Sequence, residues 1–299
     1  MTVAEDERSE YAAEDMSSPT RDEPLARSLG GAMVVHLVDR VGERAARVTR
    51  EALDITLLPY AALKGAVFER GRGASLVLRG ATSQAYFTAV EPLPVFVTIA
   101  LVTGFLAISI SDLLMRPNGL APYVPSVVAV AVVREIVPVI VALVLVGRSG
   151  TAIATELGTM RVSQEIDALD ACGINTDYFL VLPRLVGVTL ATIALHVVMS
   201  FVALVGGFAL GEAIGLVSVG LSLGDVLGAV SISTIAYALT KAVLFGLIIS
   251  STCCFHGLSV GRAFHEIPRA NVRAAVQCYL ACLVADAVLG VHALAEQIR

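Results

Sequence analysis

Five apolar runs dominate the chain, at about 94–114, 125–147, 184–211, 230–255 and 274–294. Each reaches the ~20 residues a helix needs to cross the hydrocarbon core of a bilayer. The third, RLVGVTLATIALHVVMSFVALVGGFALG, has no Asp, Glu, Lys or Arg between Arg184 and Glu212. The alternating short segments of a membrane β-barrel are absent. The pattern therefore predicts an all-α integral membrane protein with about five transmembrane helices. Ahead of them the period changes. Val34, Val38, Val41, Ala45, Val48, Ala52 and Ile55 recur at 3-4 spacing, and Arg40, Arg44, Arg47 and Arg50 fall off that stripe. Such a helix packs on the protein's own bundle, lies on an anionic membrane surface, or does both. The expected organisation is a disordered acidic extension over 1–28, amphipathic interfacial helices over 29–92 and a transmembrane domain over 93–296.

Composition agrees with the pattern. Of the 299 residues 56% are hydrophobic and only 16% charged, with a mean hydropathy of +0.80. A soluble domain carries about a quarter charged residues, so this chain could not cover a water-facing surface. Residues 1–24 hold eight acids against two arginines. That is the composition of a disordered segment, and it lacks the basic start and apolar core of a signal peptide.

Charge also sets the expected orientation. Of 21 Lys and Arg, eleven precede residue 90, three lie at 148–184 (Arg148, Arg161, Arg184) and three at 256–273 (Arg262, Arg269, Arg273). With five spans these regions share one side, and the opposite loops offer only Arg116. The positive-inside rule then places the N-terminus in the cytoplasm. Residues 156–174, ELGTMRVSQEIDALDACGI, become a cytoplasmic helical stretch between spans two and three. It presents charges at Glu156, Arg161, Glu165, Asp167 and Asp170 around a thin apolar side. A solvated connector has this composition, and so does a helix that sits in a groove on a cytoplasmic partner.

Four charges fall inside spans: Arg134 and Glu135 in the second, Lys241 in the fourth, Asp286 in the fifth. Each costs about 2.5–3.5 kcal/mol at a helix centre, where a large apolar residue returns only about 0.3–0.6. They should face the bundle interior or a wet cavity. Their formal charges sum to zero, so they can pair with one another, bracing helices, or serve as a polar site for a lipid headgroup; the two roles are compatible.

Other motifs fail. HEIPR at 265–269 lacks the second His of a zinc-protease helix. His196, alone in the third span, reads as a hydrogen-bonded core residue. Gly207, Gly211 and Gly215 form a row that permits close helix contact within one chain or between two. The cysteines (172, 253, 254, 278, 282) show no ligand spacing, Cys278 and Cys282 read as packing residues, and a reduced state is expected. No G-x-x-x-x-G-K-[ST] occurs, so the chain cannot cradle nucleotide phosphates itself; the GRSGT at 147–151 reads as a close-packed helix end. An ion-coupled secondary transporter would also use buried Glu, Lys and Asp, but no internal repeat is found. An intramembrane hydrolase would need a G-x-S-x-G or H-E-x-x-H element, and neither is present.

The central block, REIVPVIVALVLVGRSGTAIATELGTMRVSQEIDALDACGINTDYFLVLPR (134–184), resembles the MlaE/YrbE family. The matching marks are Arg134-Glu135 with Pro138, Gly147-Arg148-Ser149-Gly150, Glu156 to Arg161, Glu165 with Asp167-Ala168-Leu169, and Pro183-Arg184. They continue at Lys241-Ala242-Val243 with Phe245, at Gly257, at Arg269, Ala270 and Arg273, and at Asp286. The resemblance spans about 30–296; the acidic start is an extension, and Pro268 stands where the family usually shows a Gly-rich run. It implies the multi-pass permease subunit of an ABC transporter in a bacterial inner membrane, moving phospholipid or related lipid between that membrane and periplasmic carriers. The 93–296 domain is then the permease domain. Glu156, Met160, Arg161, Glu165, Asp167 and Leu169 are implied to couple to a separate ATPase, which would carry the ATP and Mg; this chain would hold no cofactor and no catalytic residue. Arg134, Glu135, Lys241 and Asp286 are implied to line a lipid cavity between two copies of the chain. The implied partners are a second copy, ABC ATPase subunits, an MCE-domain periplasmic substrate-binding protein, a small STAS-type cytoplasmic subunit in some assemblies, and membrane lipid, with no nucleic acid.

Overall fold

The computed structural model describes residues 49–65, 74–215 and 222–298. The chain divides into two units, Met1–Leu53 and Asp54–Arg299. Only 49–53 of the first are described, in helical backbone. The acidic extension and the amphipathic stripe from Val34 to Val48, with Arg40, Arg44 and Arg47, lie outside the described residues.

The described residues contain helices and no strand. In chain order these are α1 (49–65), α2 (Ala74–Ala89), α3 (Leu93–Met115), α4 (Ala121–Val162), α5 (Glu165–Ala171), α6 (Asp177–Ala213), α7 (Leu223–Gly228), α8 (Ile232–Leu258) and α9 (Ile267–Ile298). Five of them, α3, α4, α6, α8 and α9, are long and apolar enough to cross a membrane. They coincide with the five apolar runs.

The second span differs from its expected length. Its apolar run ends near 147, yet α4 continues unbroken for 42 residues. At 1.5 Å per residue that is roughly 60 Å, about twice a hydrocarbon core, so α4 projects beyond the membrane at one end. GRSGT is accordingly not a helix end. It is a π-helical turn, Val146–Gly150, inside α4, closely packed as expected: a Cβ on Gly150 would meet Cys253 Sγ at 2.8 Å.

Two prolines shape the spans. Pro138 has no N–H to give the carbonyl of Arg134 four residues earlier, and the turn before it, Val130–Ile136, is π-helical. Pro183 stands in the same relation to the π-helical turn Asp177–Val181 that opens α6. Pro268, by contrast, lies in the first turn of α9, where a missing N–H costs nothing.

Half of the apolar stretch of α6 is buried, against 22% for α3 and 17% for α9. α6 is therefore central, and the outer helices show Leu106, Ile110, Leu280 and Leu283 outward, a surface suited to lipid. Glycines bring the helices close. Any Cβ on Gly104 would collide with the backbone of Ala203, and one on Gly207 would reach the amide N of Phe105 at 2.6 Å. Gly207 thus serves the α3–α6 crossing within the chain. Gly211 is buried beside it, and Gly215, at φ +74°, ends the helical run in the left-handed conformation glycine adopts without strain.

Candidate functional site

The four intramembrane charges come together. Lys241 of α8 is fully buried, and its Nζ donates to Glu135 Oε2 at 2.5 Å and to the Arg134 carbonyl oxygen at 3.1 Å. It also lies 2.7 Å from Asp286 Oδ1 of α9, an ion pair whose angle misses hydrogen-bond geometry. Arg134 Nε is 3.5 Å from Glu135 Oε1. The Arg134 carbonyl is the one that Pro138 cannot serve, so the π-helical turn and the lysine belong to one device. Sequence reasoning missed Tyr237. Its ring lies under the Arg134 guanidinium at 3.9 Å and 5.1 Å from Lys241 Nζ. The available signal was its place one turn before Lys241 on the same helix face.

An ammonium stripped of water costs several kcal/mol unless its donors are met. Here two carboxylates, a carbonyl and an aromatic face meet one lysine. The cluster is not sealed, because the Glu135 side chain keeps 41% of its surface exposed and that of Asp286 22%. Part of each carboxylate side chain thus remains open to the outside of the chain within the spans, although Asp286 Oδ1 itself is buried. The arrangement can hold charge and receive a polar group.

The family model described as "Permease MlaE" matches residues 81–292, well over half the chain. The chain belongs to the MlaE permease family. A probable ABC transporter permease protein of Rickettsia conorii is 26% identical over 85% of this chain and 96% of its own length. A probable ABC transporter permease of a Synechocystis strain is 28% identical over 64% of this chain and 75% of its own. The chloroplastic protein TRIGALACTOSYLDIACYLGLYCEROL 1 of Arabidopsis thaliana is 31% identical over 57% of this chain and 49% of its own.

In this member of the MlaE permease family, the polar stretch at 156–174 is not one helix. α4 runs to Val162, the chain turns at Ser163 and Gln164, the latter at φ +61°, and α5 begins at Glu165. The six residues assigned to coupling divide accordingly. Glu156, on the end of α4, pairs with Arg184 of α6 at 2.9 Å. Arg161 donates to Asp167 Oδ1 at 2.6 Å and ties α5 to α4. Met160 and Leu169 are half-buried against the core, with buried Ile166 anchoring α5 between them. Glu165 is exposed and has no ion pair among the described residues. The outward face of α5 is therefore acidic, and its inward face holds the helix down.

One core reading changes and another holds. His196 is buried, but neither ring nitrogen has a hydrogen-bond partner among the described residues; the helices around it have already spent their backbone donors and acceptors on themselves. Cys278 and Cys282 are buried packing residues as expected, and the Cys278 thiol shares a hydrogen bond of 3.6 Å with the Cys253 thiol, both cysteines being free.

Proposed function

We propose that this chain is the membrane permease of an ABC transporter that moves phospholipid or a related lipid between the inner membrane and periplasmic carriers. The observation that carries this reading is the open charge cluster on α4, α8 and α9: a fully buried lysine flanked by carboxylates that remain partly exposed at membrane depth. An amphiphile brings both a polar head for such a cluster and tails for the apolar surfaces around it. The chain has no phosphate-cradling loop, so the energy comes from a separate ATPase, which binds ATP and Mg and docks on α5. One coupling element per chain and paired ATPases give two copies of this chain with two ATPases. An MCE-domain protein on the periplasmic side, and in some assemblies a STAS-type subunit in the cytoplasm, complete the complex. The N-terminus is cytoplasmic. The test is co-purification of the complex, its mass, and lipid transfer between liposomes with ATP or with an ion gradient alone. A two-to-two complex whose transfer needs ATP supports the proposal; a stable one-to-one complex with full ATPase activity, or transfer that follows the ion gradient, overturns it.

A further inference from the structure

Away from the charge cluster, a cavity of about 460 Å³ opens between α2, the projecting end of α4 and the start of α6. Its size is within the range of small-molecule sites. Leu76, Phe87 and Phe179 supply apolar wall, while Glu156 and Arg184 supply opposite charges 2.9 Å apart. The two are unequally wet: the Arg184 side chain is 10% exposed and that of Glu156 58%. Arg184 is also underused. Its Nη1 donates to the Leu180 carbonyl at 2.7 Å and its Nη2 meets Glu156, but its Nε–H has no acceptor. A brace between α4 and α6 accounts for one of those contacts and leaves both the unmet donor and the cavity unexplained.

The charge balance selects the ligand class. A simple anion would meet a pair whose net charge is zero. A zwitterion instead meets each charge with its opposite, a phosphate oxygen with the guanidinium and an ammonium with the carboxylate. The wall continues onto the outward side of α2, where Leu76 and Phe87 are exposed, so the ligand carries apolar chains. We propose that this groove binds the headgroup of an ammonium-bearing phospholipid, phosphate at Arg184 and ammonium at Glu156, with its chains along Leu76 and Phe87. The site is separate from the Lys241 cluster. It rests on the lipid-permease reading only for its place in the transport route, as a point where lipid is held before or after the central cluster.

The test uses the full chain with its ATPase in nanodiscs and a phosphatidylethanolamine carrying a photoactivatable group in one acyl chain. Labelling is mapped to the α2 peptide and to the peptide containing Phe179, with the matching phosphatidylglycerol as the lipid lacking an ammonium. We expect ethanolamine lipid to label about tenfold more than glycerol lipid, a difference of about 1.4 kcal/mol. Glu156→Gln should abolish that preference, an effect a bracing role would not produce. Ser83→Trp puts a large ring into the groove from α2 while leaving Glu156 and Arg184 in place and should remove most labelling at an unchanged melting temperature. Inorganic phosphate in millimolar excess should not compete. Equal labelling by the two lipids, undiminished labelling of a folded Ser83→Trp, or displacement by phosphate overturns the proposal. Lipid transfer by the unsubstituted complex is measured alongside: transfer without groove labelling sinks the site alone, and groove labelling without transfer sinks the transport reading alone.

Discussion

Lys241 Nζ sits 2.5 Å from Glu135 Oε2 and, at the same time, 2.7 Å from Asp286 Oδ1, so one buried cation is shared by two carboxylates from two other helices. This sharing decides how the cluster responds to substitution. Lys241→Met leaves Asp286 without its cation and Glu135 with only the more distant Arg134, which should cost roughly 3–5 kcal/mol, the usual penalty for removing one partner of a buried pair. Glu135→Gln removes only one of two counter-charges from Lys241, and the Glu135 side chain is partly exposed, so its cost should be well below that. Thermal melting of the purified protein ranks the two. A Lys241→Met variant as stable as Glu135→Gln would contradict the shared-cation account.

A second expectation concerns α5. Glu165→Lys reverses an exposed charge that has no ion pair inside the described chain. It should weaken ATPase co-purification while leaving membrane insertion and melting temperature unchanged. Asp167→Lys also removes the hold of Arg161 on α5. That pair is half-exposed and should contribute at most about 1 kcal/mol, so the double variant should still insert and fold. Normal co-purification and transfer by the double variant would remove α5 from the coupling role.

The α3–α6 crossing should be intolerant of side chains. A Cβ at Gly104 would run into the backbone of Ala203, which cannot swing away as a side-chain end can. Gly104→Val should therefore cost at least about 1–3 kcal/mol through forced helix separation. Gly119, with open space around it but φ +73°, should lose less on Gly119→Asn, since asparagine tolerates the left-handed region. Melting temperatures of the two variants check the order.

The short helix α7 carries a pH-dependent cap. Ser222 N–H donates to Asp225 Oδ2 at 3.0 Å and Asp225 N–H donates to Ser222 Oγ at 3.2 Å. The hydrogen bonds from the Ser222 side chain and backbone hold the Asp225 carboxyl below its ordinary value. A depressed carboxyl stabilises the folded form above its unfolded value and loses that contribution as pH falls through the folded one. Amide exchange at 225–229 should hence speed up only below the usual carboxylate range, about pH 4. At neutral pH, Ser222→Ala should show the same faster exchange. Exchange that accelerates towards alkaline pH beyond the intrinsic chemical trend would contradict the cap.

The spans were legible because period and length carry their physics: five apolar runs of sufficient length produced five membrane-length helices. The mutual pairing of Arg134, Glu135, Lys241 and Asp286 was legible too, since buried charges with zero sum have few other partners. The unbroken run of α4 to Val162 was not. Beyond residue 147 its sequence is polar, and polarity reports contact with water, not an end of helix. The left-handed turn at Gln164 was hidden for a related reason, because no glycine marks it. Among the described residues His196 lacks the partner that its burial alone had implied, since burial is a property of one position and hydrogen bonding of two. Tyr237 was visible in spacing, but an aromatic residue on a span is unremarkable until the cation above it is placed.

The central claim is that the cluster handles lipid as well as bracing helices. Replacing Lys241 by Met together with Glu135→Gln and Asp286→Asn removes the shared cation and both of its counter-charges, so no charge of that triad stays unpaired, while Arg134 loses Glu135 and keeps the Tyr237 ring. ATP-driven phospholipid transfer between liposomes, measured on this triple variant with its ATPase and compared with the unsubstituted complex at matched melting temperature, tests the claim most directly. The account predicts a folded complex whose transfer falls by at least about tenfold, some 1.4 kcal/mol in the transfer step. Transfer at the unsubstituted rate by a well-folded triple variant would contradict it and leave the cluster a brace alone.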